Sequence, residues 1–187
     1  TSIPATIPNM LLSLIVPNWA IEDLDDMKIE DESEKEIEQR DKIYLKGTSY
    51  DAIIAAFKEA NIDYEITSVD VTITYVYKFA KSDLKTSDVI KTINGVKITN
   101  FDMIKEEVNK YEVGDILKIN VLRNNKIIEC SAQLVEHNDN KVIGVALEEL
   151  KNIKTNPKVE FVFKNNESGS SRGLMCALEI YNRITEY

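Results

Sequence analysis

The stretch Asp88-Val89-Ile90-Lys91-Thr92-Ile93-Asn94-Gly95-Val96-Lys97-Ile98-Thr99-Asn100-Phe101 decides how this chain folds. Asp88 to Ile93 reads as a short strand, bounded by polar residues and rich in β-branched ones. Asn94 and Gly95 both tolerate positive φ, which a type I′ turn demands, so Val96 to Ile98 returns as the second arm of a hairpin. Asn100 is a helix-capping residue type. Phe101, Ile104, Val108 and Tyr111 then share one face at helical spacing. Strand, tight turn, return strand and amphipathic helix in close succession point to an α+β fold.

Downstream, Gly114-Asp115 opens a strand from Ile116 to Leu122. There Leu117, Ile119 and Val121 alternate with Lys118 and Asn120. Asn124-Asn125 turns the chain back, and Ile128, Cys130, Ala132 and Leu134 line one face of the return strand. Cys130 reads as a small core residue rather than a reactive thiol. Upstream, Val69, Val71, Ile73, Tyr75 and Tyr77 alternate with Asp70, Thr72 and Thr74, so a strand is expected from Thr67. Before it, Thr48-x-x-Asp51 has capping-box spacing, with Tyr50, Ile53, Ile54, Phe57 and Ala60 at helical spacing and Asn61 as the stop. A helix is expected to start at Thr48.

The first forty residues read differently. Thr1 to Ala20 is apolar, punctuated by proline and without a charged side chain. It packs on the next domain or forms a membrane-proximal stem. Glu22 to Asp41 is a charge run, read as a solvated face or mobile linker. It lacks the Asp-x-Asp-x-Asp-Gly loop pattern of calcium sites. The 187 residues suffice for one or two domains. A net charge of −9 disfavours a nucleic-acid partner. Two cysteines and one histidine leave too few ligands for a Cys/His zinc site, and only His137 could serve a triad. No apolar run reaches membrane-spanning length. No metal site and no cofactor is expected.

The pieces Leu84 to Ile90, Ile93-Asn94-Gly95-Val96, the helix Phe101 to Tyr111, Val113-Gly114-Asp115 and Ile119 to Arg123 together resemble a bacterial PDZ domain of the kind found beside proteases. The resemblance covers roughly Thr67 to Glu149. It implies a partly open β-barrel with helices that takes up a peptide by strand addition. The implied edge is Val71 to Tyr77 and the implied helix Phe101 to Tyr111, so Val71, Ile73, Tyr75, Phe101, Ile104 and Val108 are the candidate peptide contacts. For any one of them, plain core packing is the competing reading. The loop Thr67 to Asp70, where a peptide carboxylate would sit, has no glycine and carries Asp70.

Asn156 to Phe163 reads as a strand. Glu167-Ser168-Gly169-Ser170-Ser171-Arg172-Gly173-Leu174-Met175 then turns into a helix with Leu174, Ala177, Leu178, Tyr181 and Ile184 at helical spacing. This segment resembles the nucleophile motif of membrane-anchored, PDZ-containing Lon-like serine proteases of Gram-positive bacteria. The resemblance implies Ser171 as nucleophile of a Ser–Lys dyad, with Gly173 closing the motif; Ser170 and Arg172 stand where proline and alanine are usual. Such a serine needs a base, supplied by a lysine freed of its charge by burial. In that family the lysine comes several tens of residues later, whereas the sequence reads sixteen residues beyond Ser171. The expectation is therefore a serine endopeptidase as the full-length parent and an inactive piece here. The parent would be anchored in the cell membrane, facing the extracytoplasmic side, by a segment absent here, and the piece itself would be soluble. Its partner would be a protein or peptide substrate, and a homo-oligomer is compatible with the reading. The expected organisation is a stem and acidic segment over 1–45, a PDZ domain with its leading helix over 46–149, and the first strand and helix of a Lon-type protease domain over 150–187. The rival is a non-catalytic PDZ protein-interaction module.

Overall fold

In a computed structural model, residues 32–161 and 172–186 are described. The apolar segment Thr1 to Ala20, the first half of the charge run and Ser171 lie outside them.

The first helix, α1, runs over Glu34–Glu59. Its start is Ser33, not Thr48. The Ser33 hydroxyl accepts from the Glu36 N–H, and the Glu36 carboxylate accepts from the Ser33 N–H at 3.0 Å, a reciprocal capping box. The Ser33 hydroxyl also donates to the Glu36 carboxylate at 2.6 Å, and this bond, with that from the Ser33 N–H, holds the carboxyl below its ordinary range. The later acids and bases of the charge run are good helix formers, and Glu38 and Lys42 pair one turn apart at 2.6 Å. Gly47-Thr48 sits inside the helix because tertiary packing outweighs propensity. A Cβ on Gly47 would lie 3.3 Å from Glu148 Oε1 and 3.5 Å from Leu150 Cδ2, so the small residue lets the helix approach a strand. The helix ends as expected at Asn61, whose φ is 54°. The Ile62 N–H reaches the Phe57 carbonyl at 2.9 Å and the Asn61 N–H reaches the Lys58 carbonyl at 3.2 Å, a Schellman closure.

The strands are β1 Tyr64–Val76, β2 Lys81–Ser82, β3 Val89–Ile93, β4 Val96–Lys97, β5 Ile116–Arg123, β6 Lys126–Gln133, β7 Val135–His137, β8 Asn140–Val142 and β9 Val145–Thr155. Helix α2 (Phe101–Val108) falls between β4 and β5, and α3 (Arg172–Thr185) closes the described chain. The main sheet is antiparallel, in the order β2-β6-β5-β3-β1-β9, with β4 added to β3. The turns obey local chemistry: φ is 48° and 84° at Asn94 and Gly95, and 50° and 60° at Asn124 and Asn125. Helix, sheet and helix make the mixed α+β fold expected, with the sheet curled around one core.

The alternating residues meet inside the curl. Val71, Ile73, Ile90, Ile93, Leu117, Ile119, Val121, Cys130, Ala132 and Leu134 form the main core, and Ile104 and Val108 of α2 cover it. Cys130 is buried, and burial pushes its thiol up, which keeps it protonated as a core residue. A second cluster joins Ala52, Ile53, Ala56 and Phe57 of α1 to Ile180 of α3, so the tail helix docks on the leading helix. No Cβ fits easily at Gly173, where it would lie 2.8 Å from Thr48 Cγ2. The expected strand over 156–163 is a correction: β9 ends at Thr155, and the described residues 156–161 join no strand. Val159 and Phe161 pack instead on the second cluster. Strand β9 runs through position 149 without a break.

Candidate functional site: a groove between α2 and β9

Strand β1 is not the open edge expected of Val71 to Tyr77. It pairs with β3 on one side, Val71 opposite Ile90, and with β9 on the other from Tyr64–Thr155 to Val76–Val145. Val71 and Ile73 are fully buried and Tyr75 nearly so, as core residues. Val108 also faces the core. Strand addition needs unpaired backbone groups, and from Val71 to Ile73 β1 is an interior strand with a neighbour on each side.

The edge is β9, the last strand in the sheet order. Beside its first residues lies a shallow groove of about 220 Å³ lined by Phe101, Ile104 and Lys105 of α2 and by Val145 and Leu147 of β9. Of the expected contacts, Phe101 and Ile104 are therefore at the groove, while Val71, Ile73, Tyr75 and Val108 are not among its lining. Among the described residues no strand pairs with β9 on its outer side. Leu147 lies opposite Ile73. The Ile73 N–H donates to the Asp88 carbonyl and the Ile73 carbonyl accepts from the Ser87 N–H, both at 2.8 Å, so both groups point away from β9. In an antiparallel ladder the opposing residue points away as well, and the Leu147 N–H and C=O face outward. From Glu148 onward α1 lies against β9, with Lys151 and Asp51 paired at 3.0 Å.

Three features set the groove's width and mouth. The Asn100 side chain caps α2 by accepting from the Met103 N–H at 2.9 Å. The Glu149 carboxylate accepts from the Phe101 N–H at 2.7 Å, which ties the start of α2 to β9 and places a negative charge at the helix's positive end. At the other end Gly144 has φ 74°, and its carbonyl accepts from the Tyr77 N–H at 2.9 Å. A Cβ there would sit 2.6 Å from Ala80 Cβ and 2.9 Å from Ala80 Cα, so only glycine fits the turn into β9. Phe79 backs this turn and stacks on His137 at 4.3 Å between ring centres.

The charges near the sheet are settled structurally. Asp70 does not sit at the groove mouth. Burial opposes its ionisation, but hydrogen bonds from Lys91 and Asn152 and the nearby Lys91 and Lys46 charges outweigh this and hold its carboxyl below the usual range. Glu148, on β9 beside α1, is pushed up by burial and by Asp51, with Lys151 partly offsetting both. Among the described residues no group of three or more His, Cys, Asp or Glu could hold a metal ion.

Lys105, Gly144, Val145 and Leu147 were not legible as site residues. A signal existed: Gly144 stands between apolar Ile143 and Val145, after Asn138-Asp139, whose φ values are 49° and 60°. Ser171 lies outside the described residues; α3 begins at the next residue, Arg172. Outside the groove, Leu174, Met175 and Leu178 of α3 are exposed.

No family model matches the chain, and no curated protein matches it. Among solved structures it is similar to the PDZ domain of the SdrC-like protein from Listeria monocytogenes, at 22% identity and a TM-score of 0.40, over 44% of this chain and 92% of that chain.

Proposed function

We propose that this chain is a peptide-binding module that takes up an extended segment by strand addition to the free edge of β9, with the segment's alternate side chains entering the groove under α2. The observation that carries this reading is the pairing of an outward-facing backbone at Leu147 with an apolar wall of Phe101, Ile104, Val145 and Leu147. Backbone bonds along the edge supply affinity and the groove supplies selection. The shallow shape suits side chains of a strand better than an enclosed small molecule. Titration of the isotope-labelled protein with decapeptides of alternating valine and serine should shift the amide resonances of Val145 to Glu149 and Phe101 to Val108. Leu147→Lys should weaken that binding about tenfold or more, since it places a cation against the apolar wall. Shifts confined to other elements would remove the reading.

We further propose that the module belongs to a Lon-like serine endopeptidase in which Ser171 attacks the peptide bond. The support is the sequence Glu167 to Met175 together with a helix that begins one residue after Ser171. A helix start beside a serine favours negative charge on the substrate oxygen. The base would be a lysine freed of its charge by burial. The membrane-anchored setting belongs to the same reading; none of the described helices is long and apolar enough to cross a membrane. The full-length parent should cleave casein, and its Ser171→Ala form should lose nearly all of that rate, by at least about a thousandfold. Equal rates would eliminate Ser171 as nucleophile.

A further inference from the structure

The groove lining contains one charged residue. Lys105 stands among Phe101, Ile104, Val145 and Leu147. Its ammonium lies 3.9 Å from Asp102 Oδ1, one turn back on α2, with side chains 75% and 86% exposed. So loose and solvated a contact contributes little and leaves the lysine free to exchange partners. On β9, outside this lining, the Glu149 carboxylate is engaged by the Phe101 N–H at 2.7 Å. The groove therefore offers one loosely held cation.

From this we infer that Lys105 is a specificity-determining residue that selects a peptide carrying one acidic side chain next to an apolar anchor, an inference that rests on the strand-addition reading of the groove. A segment laid along β9 turns every second side chain toward α2. If one enters the space between Ile104 and Leu147, the next on that face meets the Lys105 ammonium. The Lys105 side chain is largely exposed, so the pair contributes what a surface pair does. The chain's net charge of −9 acts against a long acidic run, because repulsion grows with every added carboxylate. One acidic residue, locally paired, is the ligand chemistry that satisfies both conditions.

Fluorescence anisotropy with labelled decapeptides of alternating valine and serine, carrying glutamate, glutamine or lysine at each serine position in turn, tests this. At one position the wild-type protein should bind the glutamate peptide about fivefold more tightly than the glutamine peptide. The difference should vanish in Lys105→Gln and reverse in favour of the lysine peptide in Lys105→Glu, with thermal unfolding unchanged in both variants. Peptides that bind without a glutamate preference, or a preference retained by Lys105→Gln, overturn the inference and leave the groove reading standing. If no peptide of the set binds the wild-type protein, both fall together.

Discussion

Asp88→Ala is expected to cost about 3–5 kcal/mol of folding stability, because it strands a cation that the fold has already desolvated. Asp88 is fully buried at the start of β3. Arg123 reaches it with two bonds, Nε to Oδ1 at 2.7 Å and a terminal nitrogen to Oδ2 at 2.6 Å. The Lys85 N–H adds a third at 2.8 Å. The hydrogen bond to Asp88 holds the guanidinium well above its ordinary value, although burial opposes this. Removing the carboxylate leaves Arg123 with the Asp83 carbonyl at 3.0 Å and the weak sulfur contact of Cys130 at 3.5 Å. The Asp88→Leu, Arg123→Met double variant should lose less than Asp88→Ala alone, since both charges then leave the interior together. Urea unfolding of the three proteins measures the comparison. A single-variant loss below about 1 kcal/mol would show that this pair is as solvated as a surface one.

Phe57→Ala should cost a comparable amount, about 3–5 kcal/mol, by opening a cavity. Phe57 is wholly buried and is the largest side chain of the cluster that joins α1 to α3. Its carbonyl also receives the Ile62 N–H that closes α1. The main core under α2 is a separate cluster, so the damage should be uneven. Amide exchange should accelerate most in α3 and the second half of α1, while Ile119 and Val121 of β5 keep more of their protection. Exchange that accelerates equally everywhere would mean that the two clusters unfold as one unit.

Much of the fold could be read before any coordinates, and the legible parts share one property: their cause is local. Asn94-Gly95 and Asn124-Asn125 turn because both central residues accept positive φ. Asn100 caps α2 and Asn61 ends α1 through groups only a few residues away. The alternation from Val71 to Tyr75 and from Leu117 to Leu134 marks core faces because strand side chains alternate whatever lies next to the strand, although Thr72 and Thr74 on the other face of β1 are buried too and Tyr77 is exposed. The true start of α1 was also local, in Ser33-Glu34-Lys35-Glu36. It was obscured because a dense charge run reads equally well as a linker or as a solvated helix face.

The candidate site was less legible. Phe101 and Ile104 stand on its wall, but the sheet edge expected at β1 lies at β9. Periodicity says which face of β1 is buried and nothing about which strands flank it. That depends on β9 folding back so that Val145 meets Val76 and Thr155 meets Tyr64, across separations of 69 and 91 residues. Once β9 is in place, β1 becomes interior, Val71 and Ile73 become core, and the open backbone moves to Leu147. Lys105 acquires meaning only then, as a cation facing an apolar strand.

Turn chemistry, caps and alternating faces were thus written in the residues, since each arises from steric and hydrogen-bonding rules acting within a few positions. Strand neighbours, the docking of α3 on α1 and the location of the open edge were decided in three dimensions. They depend on contacts between segments far apart in the chain, which no short window of sequence contains.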